Sequence, residues 1–197
     1  AAAGWCMKRF ANGKQLKLDV LTIGKESDFV GMIDELKKAQ VNTRVIHDDH
    51  TTTFAHSFKD NDPDQRISSV TDKARSFTEE DFSKYKAKVF YVNPLFYGEI
   101  DPSLFRKMKS HCELVTCDSQ GLIRRLEGEK IIKRPPDNLR EALDGIDLLK
   151  IDIDEAAILT GFEKGETIKA SHYLQSLGPR YIICTESKGA AFYDGEK

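Results

Sequence analysis

No run of apolar residues in this chain approaches the ~20 that a helix needs to cross a bilayer, so no segment reads as a membrane span. An excess of either charge is also missing. Lys and Arg number 30 against 32 Asp and Glu, a net charge of −2, and nothing in that balance points to a nucleic acid or an anionic membrane surface as partner. Cysteine is sparse. Its four positions, Cys6, Cys112, Cys117 and Cys184, have no C-x-x-C spacing, and three lie beside or within apolar strand-like runs, which predicts buried, reduced thiols in a cytosolic protein. The opening stretch Ala1 to Arg9 has no charged-then-apolar signal pattern. There is no G-x-x-x-x-G-K-[ST] loop to cradle phosphates and no G-x-S-x-G nucleophile elbow, and neither internal repeats nor low-complexity segments occur.

Two motif-like stretches fail on inspection. Asp60-Asn61-Asp62-Pro63-Asp64 imitates the start of an EF-hand loop, yet position six is Gln65 rather than Gly and position twelve is Thr71 rather than Glu. His47-Asp48-Asp49-His50 packs metal-ligand residue types into four positions, but no later Cys or His completes a recognised spacing, so it reads as a solvated loop.

What is present is a soluble globular composition, 40% hydrophobic and 31% charged over 197 residues, enough for one domain with a proper core. Strand and helix signals alternate, the signature of an α/β sheet covered by helices. Val20–Ile23, Thr43–His47, Lys88–Val92, Leu114–Cys117, Leu148–Leu149, Tyr181–Cys184 and Ala190–Tyr193 read as strands. Between them, Ser27 is predicted to cap a helix with Phe29, Ile33 and Leu36 on one face, and Asp101-Pro102 to open another through Met108. Asn138 opens a short helix closed by Gly145, and Thr167 opens one with Ala170, Tyr173, Leu174 and Leu177 inward, stopped by Gly178-Pro179. One section breaks the alternation. Thr51 to Phe58 alternates with period two, Asp60 to Asp64 turns, and Arg66 to Val70 runs back, a β-hairpin over residues 51–70. An isolated hairpin is marginal in water, so it is expected to pack on a ligand or a sister chain, giving a homodimer in the second case. The chain begins inside a helix-like run and ends straight after a strand, which reads as part of a larger α/β domain.

Four segments carry the chemistry. In Asp147-Leu148-Leu149-Lys150-Ile151-Asp152-Ile153-Asp154-Glu155-Ala156-Ala157-Ile158-Leu159-Thr160-Gly161 an apolar strand runs into an acidic helix start, with Ile153, Ala156, Ala157 and Thr160 predicted on one face. Asp152 and Glu155 are spaced as a capping box, which needs no function. They also stand at the carboxyl end of a strand, where open α/β sheets bind ligands and where two carboxylates can hold Mg²⁺ through water. Asn93 to Ile100 follows a strand as a polar, aromatic loop: an ordinary βα loop, or a wall of a substrate pocket. Cys117-Asp118-Ser119-Gln120-Gly121-Leu122-Ile123-Arg124 places an Asp at a strand end, by itself a turn former, and an Arg six residues on that can grip a phosphate with two N–H groups. Ile183 to Tyr193 is strand, small-residue turn, strand.

This ordered set resembles the PfkB (ribokinase-like) carbohydrate kinases. Their Asn-x-x-Glu motif lies where Asp152-x-x-Glu155 lies here; Glu155 matches and Asp152 replaces the Asn. Pro94-Leu95 with Gly98-Glu99-Ile100, and Asp118-x-Gln120-Gly121-x-x-Arg124, resemble the versions of one subgroup that includes plant-type inositol kinases. The family's Thr-x-Gly-x-x-Gly nucleotide segment corresponds to the turn before Gly189 but lacks its middle glycine. Either one residue is missing, or Cys184 and Glu186 stand where Thr and Gly are expected.

The resemblance implies a ribokinase-like αβα sandwich with a mostly parallel central sheet and a β-hairpin lid, residues 1–197 forming part of that domain. It implies a cytoplasmic kinase phosphorylating a hydroxyl of a sugar or cyclitol with ATP and Mg²⁺. Substrate would meet Thr53, Phe54, His56 and Asn93; the nucleotide phosphates would meet Arg124, Thr185, Ser187 and Gly189; Mg²⁺ would be served by Asp152 and Glu155. The family's catalytic Asp, in a Gly-Ala-Gly-Asp motif, is expected beyond Lys197, and its early Gly-Gly substrate segment before Ala1. Two alternatives stand beside this: a non-catalytic sugar- or nucleotide-binding relative, and a nucleoside kinase of the same fold.

Overall fold

The structure, a computed structural model, describes residues 17–58 and 66–195. The chain divides into two compact units, Ala1–Arg75 and Ser76–Lys197.

In the first unit β1 (Asp19–Gly24) pairs in parallel with β2 (Asn42–His47), in register from Asp19 opposite Asn42 to Gly24 opposite His47. Parallel neighbours need a crossover, and α1 (Val30–Lys38) supplies it, with Leu36 buried and Phe29 and Ile33 half-buried as their spacing predicts. The expected cap differs. Ser27 lies within a 3₁₀ turn, Glu26–Phe29, and its hydroxyl bonds Asp28 rather than the helix. That turn carries the helix entry on backbone bonds such as Asp28 N–H to the Lys25 carbonyl (3.0 Å), so no side-chain cap is used.

The hairpin forms as predicted: β3 (Thr53–Phe58) runs antiparallel to β4 (Arg66–Asp72), from Phe54 opposite Val70 to Phe58 opposite Arg66, with a register irregularity between Thr53 and Phe54. The predicted turn at Asp60–Asp64 lies outside the described residues. Val70 is buried while Phe58 and Ile67 are exposed. The base of the hairpin is tied by polar groups. His50 Nδ1 lies 2.8 Å from an Asp72 carboxylate oxygen, the Ala74 N–H donates to Thr52 Oγ1 (3.2 Å), and Asp48 accepts from the His50 and Arg75 N–H groups (2.8 and 3.1 Å). Those two backbone donors hold the Asp48 carboxyl below its usual pKa. Asp48 and His50 are thus engaged at the base of the hairpin, while His47, which ends β2, and Asp49 are largely solvated.

The second unit is built on five strands, β5 (Ala87–Val92), β6 (Cys112–Asp118), β9 (Leu148–Asp152), β10 (Tyr181–Glu186) and β11 (Gly189–Tyr193), in the order β11-β10-β9-β6-β5. The first four are parallel; β11 turns back antiparallel on β10. Before β9 comes a second hairpin, β7 (Arg124–Glu127) with β8 (Lys130–Lys133). Its strands are four residues each, too short for a period-two pattern to register in sequence. The helices are single turns α2 (Glu79–Phe82) and α4 (Gln120–Ile123), short α3 (Ser103–Met108) and α5 (Leu139–Leu143), and longer α6 (Ile153–Thr160) and α7 (Thr167–Leu177). Asn138 caps α5 by accepting from the Glu141 N–H (3.2 Å), and Gly161, at φ 72°, ends α6 in the left-handed region that favours glycine.

Phe96, Phe105, Val115, Leu122, Ile123, Leu143, Leu149, Ile151, Leu174 and Ile182 form the fully buried core of this unit. The two longer helices present slightly different faces from those predicted. In α6, Glu155, Ala156 and Leu159 are buried while Ile153, Ala157 and Thr160 are half-buried, because the helix packs on α7, β9, β10 and α4 together. In α7 the buried residues are Ala170, Ser171 and Leu174; Tyr173 instead lies outside and meets Phe162 edge-on at 5.6 Å. Among the described residues, no helix is long and apolar enough to cross a membrane.

Cys112, Cys117 and Cys184 are free thiols, the last two buried, and burial raises the pKa of all three. The expected outcome of labelling the native protein with a thiol reagent at pH 8, read by peptide mass spectrometry, is that Cys117 and Cys184 react at least about a hundredfold more slowly than in urea. Half-buried Cys112 should lead the three. Native-state labelling of Cys117 at the unfolded rate would contradict the packing described.

Candidate functional site

Strand register builds the site. Val92 lies opposite Cys117, Asp118 opposite Lys150, and Asp152 opposite Thr185. The carboxyl ends therefore step along the sheet, β6 ending opposite Lys150 two residues before β9 ends at Asp152, and Asn93, Asp118, Asp152 and Thr185 follow this carboxyl edge, where α/β sheets bind ligands. Along β9 the pleat sends Leu149 and Ile151 into the core, both fully buried, and leaves Lys150 and Asp152 half-buried between them.

At the β9–α6 junction both arms of the capping box form. Asp152 Oδ1 accepts from the Glu155 N–H (2.7 Å), and Glu155 Oε2 accepts from the Asp152 N–H (2.9 Å). Glu155 is only 7% exposed. A third bond comes from the end of β6: the fully buried Ser119 donates its hydroxyl to Glu155 Oε2 at 2.6 Å. Next to it, Asp118 takes the Gln120 N–H on Oδ1 (3.0 Å) and the Lys150 ammonium on Oδ2 (3.0 Å). Burial works against the Lys150 charge, but the hydrogen bond and charge of Asp118, with Glu155 and Tyr91 behind, outweigh it and hold the ammonium pKa above its ordinary value. Desolvation, then the Asp118 charge, raises the pKa of the Tyr91 phenol.

The two segments predicted beside this edge are locked together. Gly121 packs against Pro94 so closely that a β-carbon there would lie 2.8 Å from the Pro94 carbonyl oxygen, as well as against the proline ring. The Tyr97 N–H donates to the Arg124 carbonyl (2.8 Å), and Leu95 N–H to a Glu99 carboxylate oxygen (2.5 Å). Arg124 opens β7 half-buried. Its neighbour Arg125, which the sequence did not single out, is the buried guanidinium: it lies over the Tyr97 ring, 3.2 Å from the centroid, and burial lowers its pKa. With β7 unrecognised, nothing in the sequence told which of two adjacent arginines turns inward.

Thr185 is half-buried, and its hydroxyl donates to the Ile151 carbonyl (3.2 Å). Glu186 ends β10 exposed and pairs with Gly189 across a two-residue turn, Ser187-Lys188. Thr53, Phe54 and His56 belong to the first unit. There the Phe54 and His56 rings stack (6.1 Å between centroids), and His56 Nδ1 meets Ser68 Oγ at 2.9 Å.

Among the described residues, no group of three or more His, Cys, Asp or Glu could hold a metal ion directly. The donor set instead suits a hydrated cation. One carboxylate oxygen each of Asp152 and Glu155 is used by the capping box, and the other oxygen of each accepts from no described residue, the arrangement a water-held Mg²⁺ asks for.

A model of the pfkB family of carbohydrate kinases matches residues 18–197. None of the curated proteins compared matches the chain. Among solved structures, a pyrophosphate-dependent kinase of the ribokinase family in a sulfate complex is similar at TM-score 0.82 and 28% identity, over 92% of this chain and 63% of that one. A pyrophosphate-dependent kinase of that family complexed with a pyrophosphate analogue and myo-inositol gives 0.81 and 26%, over 92% and 62%. Arabidopsis thaliana ribokinase complexed with ribose and ATP gives 0.62 at 17% identity, over 90% and 58%, a likeness of fold. The α/β fold is thus ribokinase-like, as the sequence implied, and the chain spans less than two thirds of the length of these relatives.

The Gly121 contact makes a test of the loop packing. Gly121→Ala is expected to destabilise the protein by about 1–3 kcal/mol in urea unfolding, since the new methyl meets backbone that cannot yield. Gly31→Ala, in α1 with open space around it, should be neutral or stabilise by about 0.5–1 kcal/mol. Equal stabilities for the two variants would show that Pro94 and Gly121 do not approach as described.

Proposed function

The chain belongs to the pfkB family of carbohydrate kinases, and from that premise we propose that the full-length protein transfers a phosphoryl group to a hydroxyl of a sugar or cyclitol, in the cytoplasm. The observation that carries this reading is the sheet edge itself. A buried, doubly held Glu155, its capping partner Asp152, and the Lys150–Asp118 pair meet where the adjacent parallel strands β6 and β9 end and α6 begins.

In phosphoryl transfer the protein's work is positioning and charge stabilisation. Asp152 and Glu155 would hold Mg²⁺ through water, and the ion would supply positive charge against the donor phosphates. The Lys150 ammonium, kept protonated by Asp118, places a further positive charge at the same edge. Asn93, at the end of β5, would meet the acceptor, and Thr53, Phe54 and His56, on the hairpin of the first unit, are the further substrate-binding residues that the family resemblance implies. Arg124 at the start of β7, and Thr185, Ser187 and Gly189 at the β10–β11 turn, would meet the donor. No residue of the chain is proposed as the base that takes the acceptor proton.

The donor in this reading is ATP. A second donor, pyrophosphate, is favoured by one feature of the β10–β11 turn. Glu186 occupies the strand end where the family's middle glycine is expected if Cys184 takes the Thr position, and a glutamate side chain obstructs close backbone approach to a nucleotide phosphate. The relatives at 26–28% identity are pyrophosphate-dependent kinases, which agrees with it.

The test is a turnover assay of the full-length protein with Mg²⁺, offering myo-inositol, ribose and a nucleoside in turn, each with ATP and with pyrophosphate. Phosphorylation of the cyclitol or the sugar supports the proposal, and the donor that works decides between the two readings. Turnover of the nucleoside alone would replace the acceptor, and no turnover with any pair would leave a binding protein. Glu155→Gln should cut turnover on the order of tenfold and raise the Mg²⁺ requirement. Its fold should persist, because Gln at that position still caps the helix. Asp152→Asn restores the residue the family uses and should be tolerated.

A further inference from the structure

Ser119 precedes the single-turn helix α4, in the position where a serine ordinarily bonds the first N–H groups of its own helix. It makes no such cap bond. Its hydroxyl, on a fully buried residue, crosses instead to Glu155, thirty-six positions along the chain, at 2.6 Å. The bond falls on Oε2, the oxygen that already takes the Asp152 N–H at 2.9 Å. One donor suffices to close the capping box; a second on the same oxygen fills its acceptor capacity and fixes the carboxylate plane. Oε1 is left as the oxygen with no donor among the described residues.

We propose that Ser119 is a positioning residue for the cation site: it locks the Glu155 carboxylate so that Oε1 faces the hydrated metal ion. This rests on the reading of Glu155 as a metal-serving acid. Its neighbour does the parallel task on the other charged side chain of this junction, since Asp118 clamps Lys150. The dipeptide at the end of β6 thereby orients both the acid and the base that flank Asp152.

The experiment is Mn²⁺ binding followed by electron paramagnetic resonance, in the presence of pyrophosphate and separately of ADP. It compares the full-length protein with Ser119→Ala, Ser119→Cys, Glu155→Gln and the Ser119→Ala/Glu155→Gln double variant, with the Mg²⁺ dependence of turnover measured beside it. Ser119→Ala should weaken Mn²⁺ binding on the order of tenfold, the usual effect of losing a partner that orients a metal-serving group. Ser119→Cys, a weaker donor of similar size, should fall between it and the unaltered protein. Added to Glu155→Gln, Ser119→Ala should cost nothing further, because its effect runs through Glu155. Mn²⁺ affinity within twofold of the unaltered protein in a folded Ser119→Ala overturns the proposal, and so does an equal loss in the Glu155→Gln background. If Ser119→Ala does not fold, Ser119→Cys decides on the same criteria. Glu155→Gln with unchanged Mn²⁺ affinity would remove the metal reading itself, and Ser119's role with it. A loss in Glu155→Gln with none at Ser119 would overturn the Ser119 assignment alone.

Discussion

The buried Glu155 carboxylate is the interaction on which the carboxyl edge of the sheet depends. At 7% exposure it has lost most of its water, and a buried carboxylate persists only where hydrogen bonds replace that water. Two do so: the Asp152 N–H, which belongs to the helix start, and the Ser119 hydroxyl, which belongs to the preceding strand end. Through one oxygen atom the end of β6 is therefore joined to the start of α6. A neutral cap at this place would have satisfied α6 equally well. The charge, and the strand-to-helix bond that holds it, exceed what capping alone requires.

The second consequence is electrostatic. Three carboxylates, Asp118, Asp152 and Glu155, sit within a few residues of one another in space along adjacent strand ends, and one ammonium, Lys150, stands among them. The lysine is held charged by its neighbours, and the acids raise the pKa of the nearby Tyr91 phenol and Cys184 thiol, in each case after burial itself. Such an edge carries surplus negative charge that a cation can relieve, and a phosphate donor normally brings one. Capping would not compete with the proposed cation holding. Each acid uses one oxygen for the helix and keeps the other.

Rigid packing supports this edge from the side. Gly121 and Pro94 bring the loop after β5 and the turn after β6 into direct contact, and the Tyr97 backbone is pinned to Arg124. Positioning chemistry needs such supports, because small displacements of polar groups lose much of their effect. The pairing of Arg125 with the Tyr97 face adds a buried cation to the same support.

Much of this was legible from residues alone. The parallel strands β1, β5, β6, β9 and β10 are short apolar runs bounded by turn residues, and the Asp152/Glu155 box is a local pattern whose physics is contained in four consecutive positions. The hairpin β3–β4 followed from period two. Tertiary structure decided what depends on distant partners. Ser27 gave up its cap to a 3₁₀ turn, Tyr173 turned outward from α7, and the four-residue strands β7 and β8 formed without a periodic signal. Above all, nothing local says that Ser119 serves Glu155 or that Asp118 meets Lys150. A helix cap is written within one turn of chain, whereas those two bonds exist only because parallel register sets Asp118, the end of β6, opposite Lys150 and so brings the residue after it to the β9–α6 junction.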